Sequence, residues 1–152
     1  MITQEIFENE LYPDLKTYLE EHSVYSPILV KRYTGESKVF PLVTMLLYRT
    51  SRNYNTLTYG EKTYDFRIEI DVYANDKTVL DENEKSVKVS KRIIGNEITK
   101  NIVDFFEEYY TVSIRVNYDT VNMDGNIYRN NIRVSGVLDT KYGDDNYVTY
   151  PQ

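Results

Sequence analysis

Glu69 and Asp71 are the residues of this chain whose type and spacing come nearest to a reactive pair. Side chains two apart on a strand share one face, so the two carboxylates stand side by side, as a general acid and base or two ligands of a divalent ion would. Arg67 and Tyr73 fall on the same side. A row of mixed charge along a strand is also how a solvated or intersubunit face is built, and the company of Arg67 and Tyr73 favours that reading. His22 is the single histidine and cysteine is absent, so a Ser-His-Asp arrangement has only His22 to rest on, and neither a thiolate cage nor a two-histidine zinc site can form. His22 ends a predicted helix, where a cation answers the helix dipole. Asp119, Asp124 and Asn126 around Gly125 faintly resemble a calcium loop, but the ligand spacing and the closing bidentate glutamate are missing. The glycines at 35, 60, 95, 125, 136 and 143 compose no phosphate-cradling motif. Lys85, Lys88, Lys91 and Arg92 make a basic patch able to touch phosphate or an acidic partner, yet Glu84 and Glu97 interleave with it and describe a solvated helix face. The expectation is a non-enzyme with no catalytic, metal-binding or cofactor-binding residues.

The elements that must position these residues follow from periodicity. Ile2, Ile6, Phe7, Leu11, Leu15, Tyr18 and Leu19 recur at helical spacing, which predicts a helix over 3–21 capped by Thr3, with Pro13 either kinking it or starting a second helix. A short strand follows at Ile28–Tyr33, between turn-forming groups. Val39–Arg49 is apolar on both faces and predicts a strand covered on both sides, central or interfacial. After a polar, turn-rich loop at 51–62, Phe66, Ile68, Ile70 and Val72 alternate with Arg67, Glu69, Asp71 and Tyr73, the mark of a half-buried strand. Asp81 and Glu84 are spaced as a capping box ahead of Val87, Ile94, Ile98, Ile102, Phe105 and Tyr109, predicting a long helix over 83–109 in which Gly95 is either a close contact or drift. Val112–Val121 and Ile127–Leu138 then form strands about an Asp124–Gly125 hairpin turn. The predicted fold is α+β: an antiparallel sheet of about four strands on one long helix, plus an N-terminal helix, in the order α-β-β-α-β-β. Residues 1–138 make one domain and 139–152 a flexible C-terminal arm, in which Tyr147, Val148 and Tyr150 could order against a neighbour.

Composition narrows the function classes. A chain of 152 residues suits one core, burying roughly 70% of the surface its unfolded form exposes. Its longest dense apolar run, Val39–Tyr48, is half what a membrane span needs, and the acidic, amphipathic N-terminus is unlike a secretory signal. A net charge of −6 and a pI near 4.9 argue against sequence-reading of nucleic acid and against anionic membrane. Sixteen tyrosines without a tryptophan suit surfaces that become buried on association, although biased base composition of the gene produces the same excess.

The order of elements, with the run Tyr64-Asp-Phe-Arg-Ile-Glu-Ile-Asp-Val-Tyr73, the helix ending Ile102-Val-Asp-Phe-Phe-Glu-Glu-Tyr109 and the final hairpin, resembles the tail terminator (tail completion) proteins of long-tailed bacteriophages over residues 1–138. That resemblance implies a virion structural protein of the tail and neck, assembled in the host cytoplasm. It implies a homo-oligomeric ring, usually a hexamer, that caps the tail tube and offers a docking surface to the head connector, with DNA only as passing cargo. It carries no catalytic residues and no cofactor. The tail after Leu138 and Pro13 depart from the family pattern. A closed ring needs two complementary patches per subunit, and the expected interface residues are Val39, Val43, Met45 and Leu47 of the two-sided strand, Tyr54, Leu57 and Tyr59 of the loop, and Glu69, Asp71 and Tyr73 of the charged row. Rival readings are a head-tail stopper or another non-catalytic adaptor, and an enzyme built on Glu69 and Asp71.

Overall fold

The N-terminal apolar stripe folds as one continuous helical rod. It comprises α1 (Ile2–Ile6), a π turn (Phe7–Leu11) and α2 (Tyr12–His22) in a computed structural model that describes residues 2–31, 39–53, 61–120, 126–141 and 147–151. The helix already includes Ile2, so Thr3 lies inside it and does not cap it. A second α-helix, α2, begins with Pro13 in its first turn as one of the two expectations had it, but without a break in the chain's course: Leu11 and Tyr12 keep right-handed helical dihedrals. The Tyr12 N–H donates to the Phe7 carbonyl, a wide five-residue rung. Proline has no N–H and its ring crowds the carbonyl four residues back, and a widened turn just before it relieves that crowding. The stripe survives the widening, with Phe7, Leu11, Leu15 and Leu19 all buried.

Among the described residues the main sheet has six strands, against the four or so predicted. Their order is β1 (Ile28–Val30), β2 (Leu42–Asn53), β3 (Glu61–Ala74), β7 (Tyr128–Lys141) and β6 (Ser113–Asn117), with β8 (Tyr147–Pro151) also on β7. Among the described residues only β1 and β2 pair in parallel. The ends of the predicted loop at 51–62 are strand, because β2 runs to Asn53 and β3 starts at Glu61, and residues 54–60 lie outside the described residues. The register of β2 shifts by one residue at Tyr48, between the pairs Leu47–Ile68 and Arg49–Arg67. The arm expected after Leu138 is also partly strand: β7 continues to Lys141, and Val148 and Tyr150 pair with Asp139 and Val137. The Asp124–Gly125 turn lies outside the described residues, but β6 and β7 pair antiparallel as a hairpin would.

The largest departure is the stretch 77–90. In place of the start of a long helix, β4 (Lys77–Leu80) and β5 (Ser86–Val89) form a separate two-stranded hairpin, and α3 spans only Lys91–Tyr109. Asp81 serves the hairpin turn: its Oδ1 accepts the N–H groups of Asn83 (2.8 Å) and Lys85 (2.9 Å), and Glu84 takes φ of 60°. An aspartate hydrogen-bonding two and four residues ahead closes a turn as readily as it caps a helix. The true cap of α3 is Ser90, whose Oγ accepts from Ile93 N at 3.4 Å, assisted by Asp76, whose Oδ1 accepts from Lys91 N at 2.8 Å. That N–H, with Lys88 adding and burial opposing, holds the Asp76 carboxyl below its ordinary value.

One face of the sheet carries the core. Ile94, Ile98, Ile102, Phe105 and Phe106 of α3 and the N-terminal stripe cover Val43 and Met45 of β2, Ile68, Ile70 and Val72 of β3, and Ile132 and Val134 of β7. Gly95 is a close contact: a Cβ there would sit 2.7 Å from the Tyr128 ring, and that ring is fixed by a hydrogen bond from its hydroxyl to Asn96 Oδ1 (2.9 Å). Within the same layer a buried amide is fully engaged. Asn130 Nδ2 donates to Asn96 Oδ1 (3.1 Å) and Thr99 Oγ1 (2.9 Å), and its Oδ1 accepts Asp119 N–H (3.0 Å). The network ties β7 to α3 and to the residues following β6.

Candidate interaction surface

Opposite the core, the second face of the sheet is mostly polar and partly exposed, with Leu42, Thr44 and Asn131 buried within it, and cross-strand register sets its pattern. Residues Leu46, Glu69, Arg133 and Arg115 form one row, and Thr44, Asp71, Asn131 and Asn117 the next. A third row holds Leu42, Tyr73 and Arg129. Opposite charges directly across neighbouring strands lie close enough to pair.

Asp71 is the hub. Its Oδ1 accepts from Arg129 Nε (3.1 Å), Arg129 Nη2 (2.9 Å) and Asn131 Nδ2 (2.8 Å). Burial disfavours the charge of Arg129, but Asp71, with Tyr73 and Glu69 behind it, outweighs this and holds the guanidinium above its ordinary value. Arg129 also lies 5.7 Å from the centre of the Tyr73 ring, a cation–π distance. Glu69 is shared between Arg133 Nε at 3.3 Å and Arg67 Nη2 at 3.7 Å. Arg133 Nε makes no hydrogen bond, so its contact with Glu69 is one of charge alone. The two carboxylates that could have worked as an acid–base pair are each held by arginine. Apolar side chains border the row: Leu46 is 48% exposed and Tyr48 59%, with Arg67 5.4 Å from the Tyr48 ring centre.

The expected interface residues divide accordingly. Glu69, Asp71 and Tyr73 share the open face as predicted, half-buried. Val43 and Met45 do not belong there: both are fully buried, and Leu47 packs against the same core. The reason is alternation, since the odd residues of β2 face the helices and the even ones face outward until Tyr48. Val39 is exposed ahead of β2, while Tyr54, Leu57 and Tyr59 lie outside the described residues. Sequence reasoning missed Arg129, Asn131 and Arg133 and the outward Leu46 and Tyr48. Their signal was the period-two alternation of Arg129, Asn131 and Arg133 with Asn130, Ile132 and Val134, the same pattern that was read for β3.

The remaining candidates have structural partners. His22 is packed edge-on against Tyr18, ring centres 4.0 Å apart. The basic patch is divided between two elements. Lys85 and Lys88 are on the β4–β5 hairpin, Lys88 being 3.5 Å from Asp76, and Arg92 in the first turn of α3 is 3.7 Å from Asp119. Among the described residues no group of three or more His, Cys, Asp or Glu is placed to hold a metal ion, and no helix is long and apolar enough to cross a membrane. No protein-family model matches the chain, and no curated protein matches it.

Proposed function

We propose that the protein is a virion assembly component of the tail-terminator type, which forms a homo-oligomeric ring on the end of a phage tail tube and presents a docking surface to the head connector. The observation that carries this reading is the one-sided sheet. Helices cover one face, while the other offers an ordered charge row bordered by exposed Leu46 and Tyr48. Tyrosine and arginine side chains beside exposed apolar ones are enriched at protein interfaces.

A second patch is supplied by the sheet edge. Among the described residues β1 pairs with only Leu42, Val43 and Thr44 of the twelve-residue β2, and an edge strand's unpaired N–H and C=O groups accept another chain's strand. A head-to-tail ring needs two such unlike surfaces on each subunit. The rows of Glu69 and Asp71 serve the assembly by fixing register, since misplaced like charges penalise a wrong alignment.

Light scattering on the size-exclusion peak, with electron microscopy of the protein mixed with tail tubes, tests the proposal. The expected result is a closed ring, alone or on tube ends. A protein that stays monomeric at high concentration and never decorates a tube end sinks it.

A further inference from the structure

Between α2, the C-terminal turn of α3 and β8 lies a cavity of about 670 Å³, within the range of small-molecule sites. Among the described residues that line it, five of eleven are aromatic and two are carboxylates, Asp14 and Glu21; none of these is basic. The rings make walls and not a flat stack. Tyr18 meets Phe105 at 5.4 Å and 56° and Tyr109 at 6.3 Å and 85°, and Phe105 meets Tyr110 at 5.9 Å and 60°.

Three further features make this region electronegative. Neither Asp14 nor Glu21 forms an ion pair or hydrogen bond among the described residues, so their charge is uncompensated. The last turn of α3 has no basic residue and instead carries Glu107 and Glu108 beside the negative end of the helix dipole. Behind the lining residue Tyr147, Glu10 accepts its hydroxyl at 2.8 Å. The hydroxyls respond to this setting: Tyr18 and Tyr110 are both raised above the ordinary tyrosine value, by burial first and then by Glu108 and Asp104 for Tyr18, and by Asp14 and Glu10 for Tyr110. The cation acting on Tyr18, Lys100, is held 3.1 Å from Asp104.

We propose that this cavity binds an organic cation of the alkylammonium or guanidinium class, with the rings of Tyr18 and Tyr109, backed by the buried Phe105, taking the charge and Asp14 and Glu21 at the rim selecting its sign. Ring quadrupoles attract cations most where solvent is partly excluded, and rim carboxylates raise the local concentration of positive charge. The source is either a free small ammonium ion or the side chain of a basic residue on a partner. The site stands whether or not the protein forms a ring.

Amide chemical-shift titrations of the full chain test it with three probes: choline, its uncharged carbon isostere 3,3-dimethylbutan-1-ol, and a capped Gly-Arg-Gly peptide. The expected result is saturable shifts at residues 18–21, 109–111 and 147–149 with the cationic probes, at least about tenfold tighter than with the isostere. Tighter binding of choline assigns the site to a free ammonium ion, and tighter binding of the peptide to a partner's side chain; both support the proposal. The exposed positions Asp14, Glu21 and Tyr109 tolerate substitution without loss of the core, so Asp14→Asn with Glu21→Gln, and separately Tyr109→Leu, are read directly in binding. Each weakens the cation about threefold to tenfold. Equal affinity for the isostere, cation binding unchanged in both variants, or shifts that never saturate overturn the proposal.

Discussion

The two faces of β3 carry residues one position apart under opposite physical rules. Ile68, Ile70 and Val72 lie beneath the helices and are almost wholly removed from solvent, while Glu69, Asp71 and Tyr73 between and beside them stay partly exposed among arginines. On the covered face position is fixed by volume, because a close-packed interior leaves no room for misfit. On the open face it is fixed by charge pairing, which is worth little in water and more once a partner excludes solvent. One strand therefore holds the fold together with one set of side chains and keeps the other set available.

The largest effect expected breaks the covered face. Ile70→Ala removes a fully buried side chain at the centre of the sheet and should destabilise the protein by about 3 to 4 kcal/mol in urea unfolding. Glu69→Gln, one residue earlier, should cost less than about 1 kcal/mol by the same measurement. Equal losses at the two positions would remove the distinction between the faces. Next in size is Asn130→Ala, which strips three hydrogen bonds from the buried network and leaves the Asp119 N–H without its acceptor. A loss of about 2 kcal/mol is expected from unsatisfied buried groups, and hydrogen exchange at Asp119 should accelerate.

On the open face, Asp71→Asn removes the carboxylate that receives Arg129 and Asn131. With the side chains of Asp71 and Arg129 still 17% and 30% exposed, the pair is partly screened and the expected loss is about 1 kcal/mol. On the ring proposal, the same substitution weakens assembly at low salt more than it weakens the fold, visible as a larger monomer fraction by light scattering.

Alkaline pH separates the faces by another route. Tyr18, Tyr110 and Tyr147 are all raised above the ordinary value of 10.0, chiefly by burial, with Tyr147 pushed further by the hydrogen bond to Glu10. Each then keeps its proton in the folded state at a pH where the unfolded chain has lost it. This stabilisation is whole below pH 10 and declines as pH rises toward the folded values. Unfolding free energy followed from pH 8 upward should fall beyond 10, and Tyr147→Phe should make that fall shallower.

How much of this was legible in the sequence depended on whether one period ruled a segment. The N-terminal stripe, the alternation of β3 and the face of α3 were each readable, because burial on one side imposes a period of 3.6 or 2 over several turns or residues. The stretch 77–90 was not. Asp81 and Glu84 imitate a capping box, and Val87 happens to lie in phase with Ile94 and Ile98, so a four-residue strand with its own alternation, Ser86-Val-Lys-Val89, was absorbed into the helix that follows. The tail was misread for a related reason. β8 is held by backbone pairing to β7, and side-chain periodicity does not report which backbone a strand will meet. Of the surface, the acidic half of the charge row was visible on β3, but its arginine half sits on β7, some sixty residues later. Register alone joins them.

The smallest effect on stability is also the sharpest test of what the open face is for. Leu46 and Tyr48 are roughly half-exposed, and the Tyr48 ring touches Arg67, so replacing both with serine removes little buried area from the isolated chain. Leu46→Ser with Tyr48→Ser should change unfolding free energy by no more than about 0.5 kcal/mol, within the range of ordinary surface substitutions. Truncating large side chains at the centre of an association surface has a different scale, about 2 kcal/mol or more each, because the partner's groups also lose their cover. A folded protein that no longer assembles is therefore the outcome expected from light scattering on this variant. If the variant assembles as well as the parent, Leu46 and Tyr48 are incidental surface, and the subunit contact must rest on the β2 edge or the β4–β5 hairpin instead.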